Sequence, residues 1–231
     1  PWNPVPTSEV WAHTLPSDAT PFYVGQFRGT NPITIQNLCS GAALDANGGG
    51  VFKDGMFRFV SYFSFLGEIM GQYYEYDMDT WEMTRTEDVS NRPDLYCFDT
   101  DVDPITNKVY GIAYNSDFSG YALNVIDYAT LTTQTIGNLD VYFLGFAINS
   151  KGSMYGISST GKLCKISRTT GAVTEIGPTG LYPLYLQSAA FDRNTDKLYW
   201  AASFENSPSG LYEVDTLTAK APKVAAFPSG R

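Results

Sequence analysis

The sequence has a single histidine and only three cysteines, and both shortages restrict the chemistry it can perform. His13 has no serine or cysteine partner in a recognisable motif, so a Ser–His or Cys–His nucleophile is not predicted. One histidine and the lack of any Cys-x-x-Cys spacing disfavour a zinc site. Cys39, Cys97 and Cys164 are predicted to be small buried thiols, and a disulfide pair is the less favoured alternative.

Basic residues are also scarce, and no apolar run is long. The chain has 15 Lys and Arg against 24 Asp and Glu, which gives a net charge of -9 at pH 7. Phosphate binding needs clustered Lys and Arg, so neither nucleic acid nor an anionic membrane is expected as a partner. No stretch reaches the roughly 18 apolar residues of a spanning helix, so no membrane span is predicted.

What the sequence does contain is a repeat. Residues 192–199 read DRNTDKLY and residues 103–110 read DPITNKVY, and looser copies lie at 149–155 and 45–57. Asp, Asn and Thr at such positions hydrogen-bond the backbone of a turn, and the final Tyr begins the next strand. The Tyr of the last three copies recurs about every 45 residues, which is the length of a four-stranded propeller blade.

A second turn marker recurs in the same register. An Asp or Ser followed three residues later by Thr ends the third strand of each repeat, at Asp77, Asp127, Ser167 and Asp215. This is the expected chemistry of a tight turn between antiparallel strands. The two markers together predict an all-β fold, a β-propeller with four-stranded antiparallel blades that closes into a ring.

We predict a single propeller domain over residues 1–231 with five blades, the last of which is completed by N-terminal strands. Its missing first strand is expected from the C-terminus. The chain begins with Pro1 rather than Met and stops after the fourth strand of a blade, so we expect it to be a fragment of a longer protein. The predicted blades lie at about 39–88, 95–137, 143–177 and 186–227, with a partial blade at 10–37.

The pattern F-D-x-x-T-x-K-L-Y-W…G-L-Y-x-V-D-x-x-T, read at 191–218, resembles the propeller repeats of secreted proteins of gut Bacteroidetes. It is similar, more loosely, to the YVTN, TolB-like and quinoprotein-like propellers. The resemblance covers nearly the whole chain. It implies a binding role on a larger exported polypeptide, in an extracellular, periplasmic or cell-surface location. Its motifs are specific for the fold and weak for function.

Two acidic residues break the repeat. At two and four residues before the turn, the third blade has Ala147 and Gly145, whereas the second blade has Asp101 and Asp99. The two-residue period of a strand places both carboxylates on the face that lines the channel. They predict a cation or polar-ligand site, or a carboxylate pair for acid–base work. The favoured alternative is that they face channel water or cap a neighbouring turn.

The same segment resembles the start of a calcium loop because Asp99, Asp101 and Asp103 alternate along it. Pro104 and Tyr110 stand where such a loop needs glycine and a bidentate glutamate, so an EF-hand is rejected. An irregular calcium site is kept as a minor alternative. No cofactor is otherwise expected.

Aromatic residues recur in the loops that join one blade to the next. In a propeller these loops ring one mouth of the channel, where exposed aromatic side chains mark binding surfaces. Alternatively, the rings seat each blade on its neighbour, and we weigh the two interpretations equally. The candidate residues are Tyr96, Tyr142, Phe143, Tyr182 and Tyr185.

These observations predict a non-enzymatic, monomeric binding module. Its ligand would be a glycan, a peptide or a partner domain held on the aromatic loop face. One alternative is a propeller hydrolase or lyase that uses Asp99 and Asp101. Another is a purely structural spacer.

Overall fold

The computed structural model of the protein describes residues 10–14, 23–27, 33–40, 49–66, 68–184, 187–204 and 209–227. Within these ranges the chain forms β-strands and one short 3-10 helix, Pro93–Leu95, with no α-helix. No helix in these ranges is long and apolar enough to cross a membrane. The all-β prediction is therefore confirmed.

The strands form one three-stranded and four four-stranded antiparallel sheets. The N-terminal sheet has β1 (Val10–Thr14), β2 (Tyr23–Phe27) and β3 (Gln36–Ser40). The first blade has β4 (Gly50–Lys53), β5 (Met56–Phe65), β6 (Glu68–Asp77) and β7 (Met83–Asp88). The second has β8 (Cys97–Val102), β9 (Val109–Tyr114), β10 (Tyr121–Asp127) and β11 (Thr132–Leu139). The third has β12 (Phe143–Ile148), β13 (Met154–Ser158), β14 (Lys162–Ile166) and β15 (Val173–Pro178). The fourth has β16 (Ser188–Asp192), β17 (Lys197–Ala202), β18 (Gly210–Val214) and β19 (Lys223–Ala226).

The structure is a β-propeller with four complete blades, so the predicted count of five is wrong. The register of the strand pairs shows which strands of a blade the three-stranded N-terminal sheet corresponds to. In all four blades the ladder between third and fourth strands shifts register at a bulge, while the ladder between second and third strands is regular. The β2–β3 ladder has the same shift, between Val24 and Gly25, and the β1–β2 ladder is regular. These three strands thus match the second to fourth strands of a blade, and the described residues contain no first strand for it.

The first strand of each blade lies toward the axis of the propeller. Strand β8 packs against β4, β12 and β16, and β12 also packs against β16. In the first blade this inner strand ends at an Asp54-Gly55 turn, where both residues have positive φ, 53° and 72°. Such a turn is a strong hairpin signal. The repeat placed this turn earlier, near residue 45, and residues 41–48 lie outside the described ranges.

The hydrophobic core consists of layers between neighbouring blades. One layer joins the first and second blades, one the second and third, and one the third and fourth. Trp200, with no exposed surface, is the largest fully buried side chain among the residues that the structure describes, and its indole N–H donates to the Gln187 side-chain oxygen at 2.7 Å. Because strand side chains alternate between faces, the second and third blades each contribute to the layers on both of their sides.

Candidate functional site

The blade topology places two kinds of connection at the same end of the strands. These are the linkers between blades and the hairpins between second and third strands. We call this end the linker end. Its described segments are 65–66 with 68, 88–97, 114–121, 139–143, 158–162, 178–184 with 187–188, and 202–204 with 209–210.

Seven aromatic side chains at or near the linker end contact one another in a continuous group. They come from the first and second blades and from the linkers on either side of the second blade. We call this group the aromatic cluster. Its members are Tyr62, Tyr96, Phe98, Tyr114, Phe118, Tyr121 and Tyr142.

One half of the aromatic cluster is centred on Phe98, at the start of the inner strand β8. The rings of Tyr114 and Tyr142 meet it edge-on, each with its centroid 4.8 Å away. Tyr121 stacks on Tyr142 at 4.9 Å. Edge-on and offset-stacked arrangements are the ones that aromatic quadrupoles favour, so these rings hold one another in place.

The other half joins the first blade to the second. Tyr62 stacks on Tyr96 at 4.8 Å and reaches Tyr114 edge-on at 6.3 Å. Phe118 lies 6.2 Å from Tyr96 and 5.3 Å from Tyr114. The group therefore crosses the boundary between two blades without a break.

The β9–β10 hairpin positions three of these rings. Tyr114 and Tyr121 face each other across the two strands. The loop between them is closed by Asn115, whose backbone N–H donates to the Gly120 carbonyl and whose side-chain oxygen accepts from the Gly120 N–H, both at 3.0 Å. Phe118, at the tip, has a φ of 58°, a left-handed conformation that is uncommon for a large side chain.

Several rings of the aromatic cluster are partly exposed. Phe98, Tyr114, Tyr121 and Tyr142 are half-buried, and Phe118 is exposed. The hydroxyl groups of the three tyrosines donate no hydrogen bond to any residue the structure describes. Burial raises the pKa of Tyr142 to about 12 and also raises that of Tyr114, so both stay protonated hydrogen-bond donors at neutral pH.

Tyr96 and Phe143, two of the predicted ligand residues, are buried. The Tyr96 hydroxyl donates to the Val89 carbonyl at 3.0 Å inside the layer between the first and second blades. Phe143 lies in the layer between the second and third blades, where its ring leaves no room for a side chain at Gly156. Both positions match the alternative interpretation, in which aromatic linker residues seat one blade on the next.

The other three predicted aromatic residues lie in different surroundings or outside the described residues. Tyr142 belongs to the aromatic cluster. Tyr182 is 85% exposed and contacts no ring of the cluster. Tyr185 lies outside the described residues. The linker pattern missed Phe98, Tyr114 and Tyr121, although the aromatic residues that flank the Asn115–Gly120 turn carry a usable hairpin signal.

Asp99 is buried at the axis and joins three inner strands. Its Oδ2 accepts hydrogen bonds from the backbone N–H groups of Phe146 in β12, at 2.8 Å, and Ala189 in β16, at 3.1 Å. Its Oδ1 accepts from the Thr100 N–H and the Ser188 hydroxyl, each at 3.0 Å. Burial nevertheless raises the pKa of Asp99 to about 7, because desolvation outweighs the four donors.

Asp101 makes a parallel set of contacts one pleat further along β8. It accepts from the backbone N–H groups of Ile148 and Val102, each at 2.7 Å. The Arg193 guanidinium lies 2.9 Å from its Oδ1 and also donates to the Ile148 carbonyl at 2.7 Å. Burial raises the pKa of Asp101 to about 6, against the opposing charge of Arg193. Both carboxylates are therefore occupied by donors that hold the blades together.

Asp103, the third acidic residue of the segment, accepts hydrogen bonds from residues of the turn that it begins. It accepts from the Ile105 N–H at 2.9 Å and the Thr106 hydroxyl at 2.8 Å, and it pairs with Arg168 at 3.0 Å. Within the described ranges no group of three or more His, Cys, Asp or Glu side chains is arranged to hold a metal ion. Cys97 and Cys164 are free thiols in buried positions.

No family model matches the sequence, and no curated protein matches it. Among solved structures, TolB from Acinetobacter baumannii matches with a TM-score of 0.54 and 15% identity, over 96% of this chain and 56% of TolB. An auxiliary nutrient binding protein from Bacteroides ovatus gives a TM-score of 0.48 and 13% identity, over 96% of this chain and 49% of that one. A virginiamycin B lyase from Staphylococcus aureus gives 0.47 and 10%, over 94% and 74%. The chain thus spans little more than half of TolB, and at this identity the likeness shows the propeller fold alone.

Proposed function

We propose that this propeller is a non-enzymatic binding module of an exported protein, in the extracellular space, the periplasm or at the cell surface. Its ligand occupies the linker end, on the aromatic cluster. The observation that supports this site is the continuity of seven rings across the first and second blades, six of which retain exposed surface. The export proposal rests on the resemblance of the repeats to secreted propellers.

The physical argument is that these rings offer a large rigid surface at low entropic cost. A ligand that covers them gains roughly 25 cal/mol for each Å² of apolar surface removed from water. The rings already constrain one another, so little conformational freedom is lost on binding. The Tyr114, Tyr121 and Tyr142 hydroxyls add donors that make no hydrogen bond to described residues and can orient a polar ligand.

Asp99 and Asp101 are left out of this proposal. Catalysis by a carboxylate pair needs oxygens that can exchange a proton with substrate, and these oxygens accept hydrogen bonds from the backbone of β12 and β16. If the carboxylate oxygens turned to a substrate instead, the buried backbone amides of β12 and β16 would lose their hydrogen-bond acceptors. The geometry therefore favours binding over hydrolysis or elimination.

A binding screen tests the proposal. The immobilised protein is exposed to a glycan array and a peptide array, and each hit is measured for the wild type, Tyr121→Ala and Tyr142→Ala. We expect at least one class of ligand to bind, and each substitution to weaken it by about tenfold or more. Leu217→Ala is the matched control, because Leu217 is an exposed apolar side chain at the opposite end of the fourth blade. A ligand equally affected by all three substitutions, or by none, would overturn the placement of the site.

A further inference from the structure

An apolar hairpin projects beside the aromatic cluster. Strands β5 and β6 pair over ten residues each, but β4 pairs only with residues 56–59 of β5 and β7 only with residues 72–76 of β6. Residues 63–66 and 68–70 therefore extend past the rest of the first blade, and we call them the arm. The arm carries Phe63, 38% exposed, Leu66, 90% exposed, and Met70, 39% exposed.

The arm is continuous with the aromatic cluster. Tyr62, the residue before the arm, stacks on Tyr96 and meets Tyr114 edge-on. Five of the eight exposed large apolar side chains of the described residues belong to the arm or to linker-end loops. Aliphatic and thioether side chains such as Leu66 and Met70 suit the irregular apolar side chains of another protein, whereas flat rings alone would suit a sugar.

Three carboxylates lie in the arm or beside residues of the aromatic cluster, and that of Asp117 accepts a hydrogen bond from the Ser119 N–H at 3.0 Å. Glu68 lies at the tip of the arm, Asp117 precedes Phe118, and Asp140 lies two residues before Tyr142; all three are exposed. None of the three makes an ion pair with a described residue. The described linker-end segments contain only two basic residues, and both are neutralised: Arg92 by Asp94 at 2.8 Å and Lys162 by Glu175 at 2.9 Å.

We propose that the partner is a segment of another protein that carries Arg or Lys side chains next to apolar ones. This inference rests on the proposed function and specifies its ligand. The carboxylates attract the cationic groups, the tyrosine faces accept them through cation–π contacts, and the arm covers the neighbouring apolar side chains. The net charge of -9 on the chain steers such a segment toward the surface from a distance.

The test uses synthetic peptides measured by fluorescence anisotropy. One peptide combines Arg with Leu and Tyr, and its partner has every Arg replaced by citrulline, which keeps the shape and removes the charge. We expect the Arg peptide to bind at least about tenfold more tightly than the citrulline peptide, with the difference shrinking as salt is raised. The double variant Asp117→Asn/Asp140→Asn should lose most of that preference. The control Asp79→Asn/Glu82→Gln also removes two negative charges, but at the opposite end of the blade. It should change the preference for the Arg peptide by no more than about twofold.

The outcomes separate this inference from the proposed function. A glycan or neutral peptide that needs Tyr142 but is indifferent to Asp117 and Asp140 would overturn the basic partner and leave the binding site in place. Arg-peptide binding reduced equally by both double variants would mean attraction to overall charge, which also overturns the inference. If no ligand depends on Tyr142, the proposed function fails as well.

Discussion

Asp99 accepts a hydrogen bond at 2.8 Å from the backbone N–H of Phe146, a residue 47 positions later and in the next blade. Asp101 repeats the contact with Ile148 at 2.7 Å. The inner strand of each blade is an edge strand, and its axis-facing amides need acceptors when they are buried. The two carboxylates of β8 supply these acceptors to β12, and Asp99 also supplies one to Ala189 in β16.

The first prediction concerns stability. We expect Asp99→Ala to lower the free energy of unfolding by about 3 kcal/mol, because three backbone amides and a hydroxyl lose their acceptor, partly offset by removal of a buried charge. Asp99→Asn keeps one acceptor oxygen and should cost about half as much. Urea denaturation followed by tryptophan fluorescence measures both. The exposed Asp79→Ala should change stability by no more than about 0.5 kcal/mol, and a similar loss in it would refute the assignment.

The second prediction concerns pH. Burial raises the pKa of Asp99 to about 7 and that of Asp101 to about 6, whereas an unfolded chain titrates such groups near about 4. The folded protein thus holds these protons more tightly than the unfolded chain. Their contribution to stability is fully present below pH 4 and is lost as the pH rises to about 7, with a slope of up to about 1.4 kcal/mol per pH unit for one group.

The variant Asp99→Asn/Asp101→Asn isolates this effect. Other carboxylates, such as Glu75 and Asp103, have lowered pKa values and stabilise the protein as the pH rises through the acid range. They act equally in both proteins and cancel in the difference. The free-energy difference between wild type and variant should therefore shrink from pH 5 to pH 7. A difference that stays constant would mean that both carboxylates are ionised throughout.

Local turn chemistry was the part of the fold that could be predicted from the sequence. In the D-x-x-T turns, Asp192 accepts from the Asn194 N–H at 3.0 Å and from the Thr195 hydroxyl at 3.0 Å, and Asp103 makes the same two kinds of bond. These contacts depend only on near neighbours in the chain. The repeat therefore predicted four-stranded antiparallel blades correctly. It misplaced the first-blade turn because Asp54-Gly55 uses a different hairpin chemistry.

The candidate site was less predictable because its members converge from distant segments. Phe98 meets Tyr142 only because β8 and the linker before β12 are brought together by blade packing. Likewise, the acidic pair was recognisable as a break in the repeat, but its partners in β12 and β16 were not. Spacing along one strand gives the face of a side chain, not the strand that lies opposite it.

The third prediction compares two glycines in tight turns. Gly161, between β13 and β14, has a φ of 73°, and a Cβ there would overlap the Leu181 carbonyl oxygen. Gly55 has a φ of 72° with open space around it. We expect Gly55→Ala to lower the free energy of unfolding by about 1 kcal/mol, because alanine disfavours the left-handed backbone. Gly161→Ala should lower it by at least about 3 kcal/mol, because the linker that contains Leu181 must also move. Thermal unfolding measures both.

Gly161 also anchors the linker that carries Tyr182. Its carbonyl accepts from the Thr179 N–H at 2.9 Å and from the Thr179 hydroxyl at 2.7 Å. Gly161→Ala should therefore increase protease cleavage between the third and fourth blades, while Gly55→Ala should not. An equal loss of unfolding free energy for the two substitutions would mean that the linker moves without penalty, and that the short distance between Gly161 and the Leu181 carbonyl does not restrict the side chain at position 161.

The fourth prediction separates seating rings from ligand-facing rings. Tyr96→Phe keeps the ring and its stacking on Tyr62 but leaves the buried Val89 carbonyl without its 3.0 Å hydrogen bond. We expect a loss of about 1 to 2 kcal/mol in the free energy of unfolding. Tyr182→Phe removes a hydroxyl that is in water and should change stability by less than about 0.5 kcal/mol. Urea denaturation of both proteins gives the comparison.

Ligand binding provides the converse test. If Tyr96 only seats the first blade on the second, Tyr96→Phe should lower stability and leave the affinity of any linker-end ligand within about twofold, whereas Tyr142→Phe should do the reverse. The reason is that the Tyr96 hydroxyl is turned into the core and the Tyr142 hydroxyl makes no hydrogen bond to described residues. An affinity loss in Tyr96→Phe as large as in Tyr142→Phe would place both hydroxyls at the ligand, and would require the layer between the blades to open when it binds.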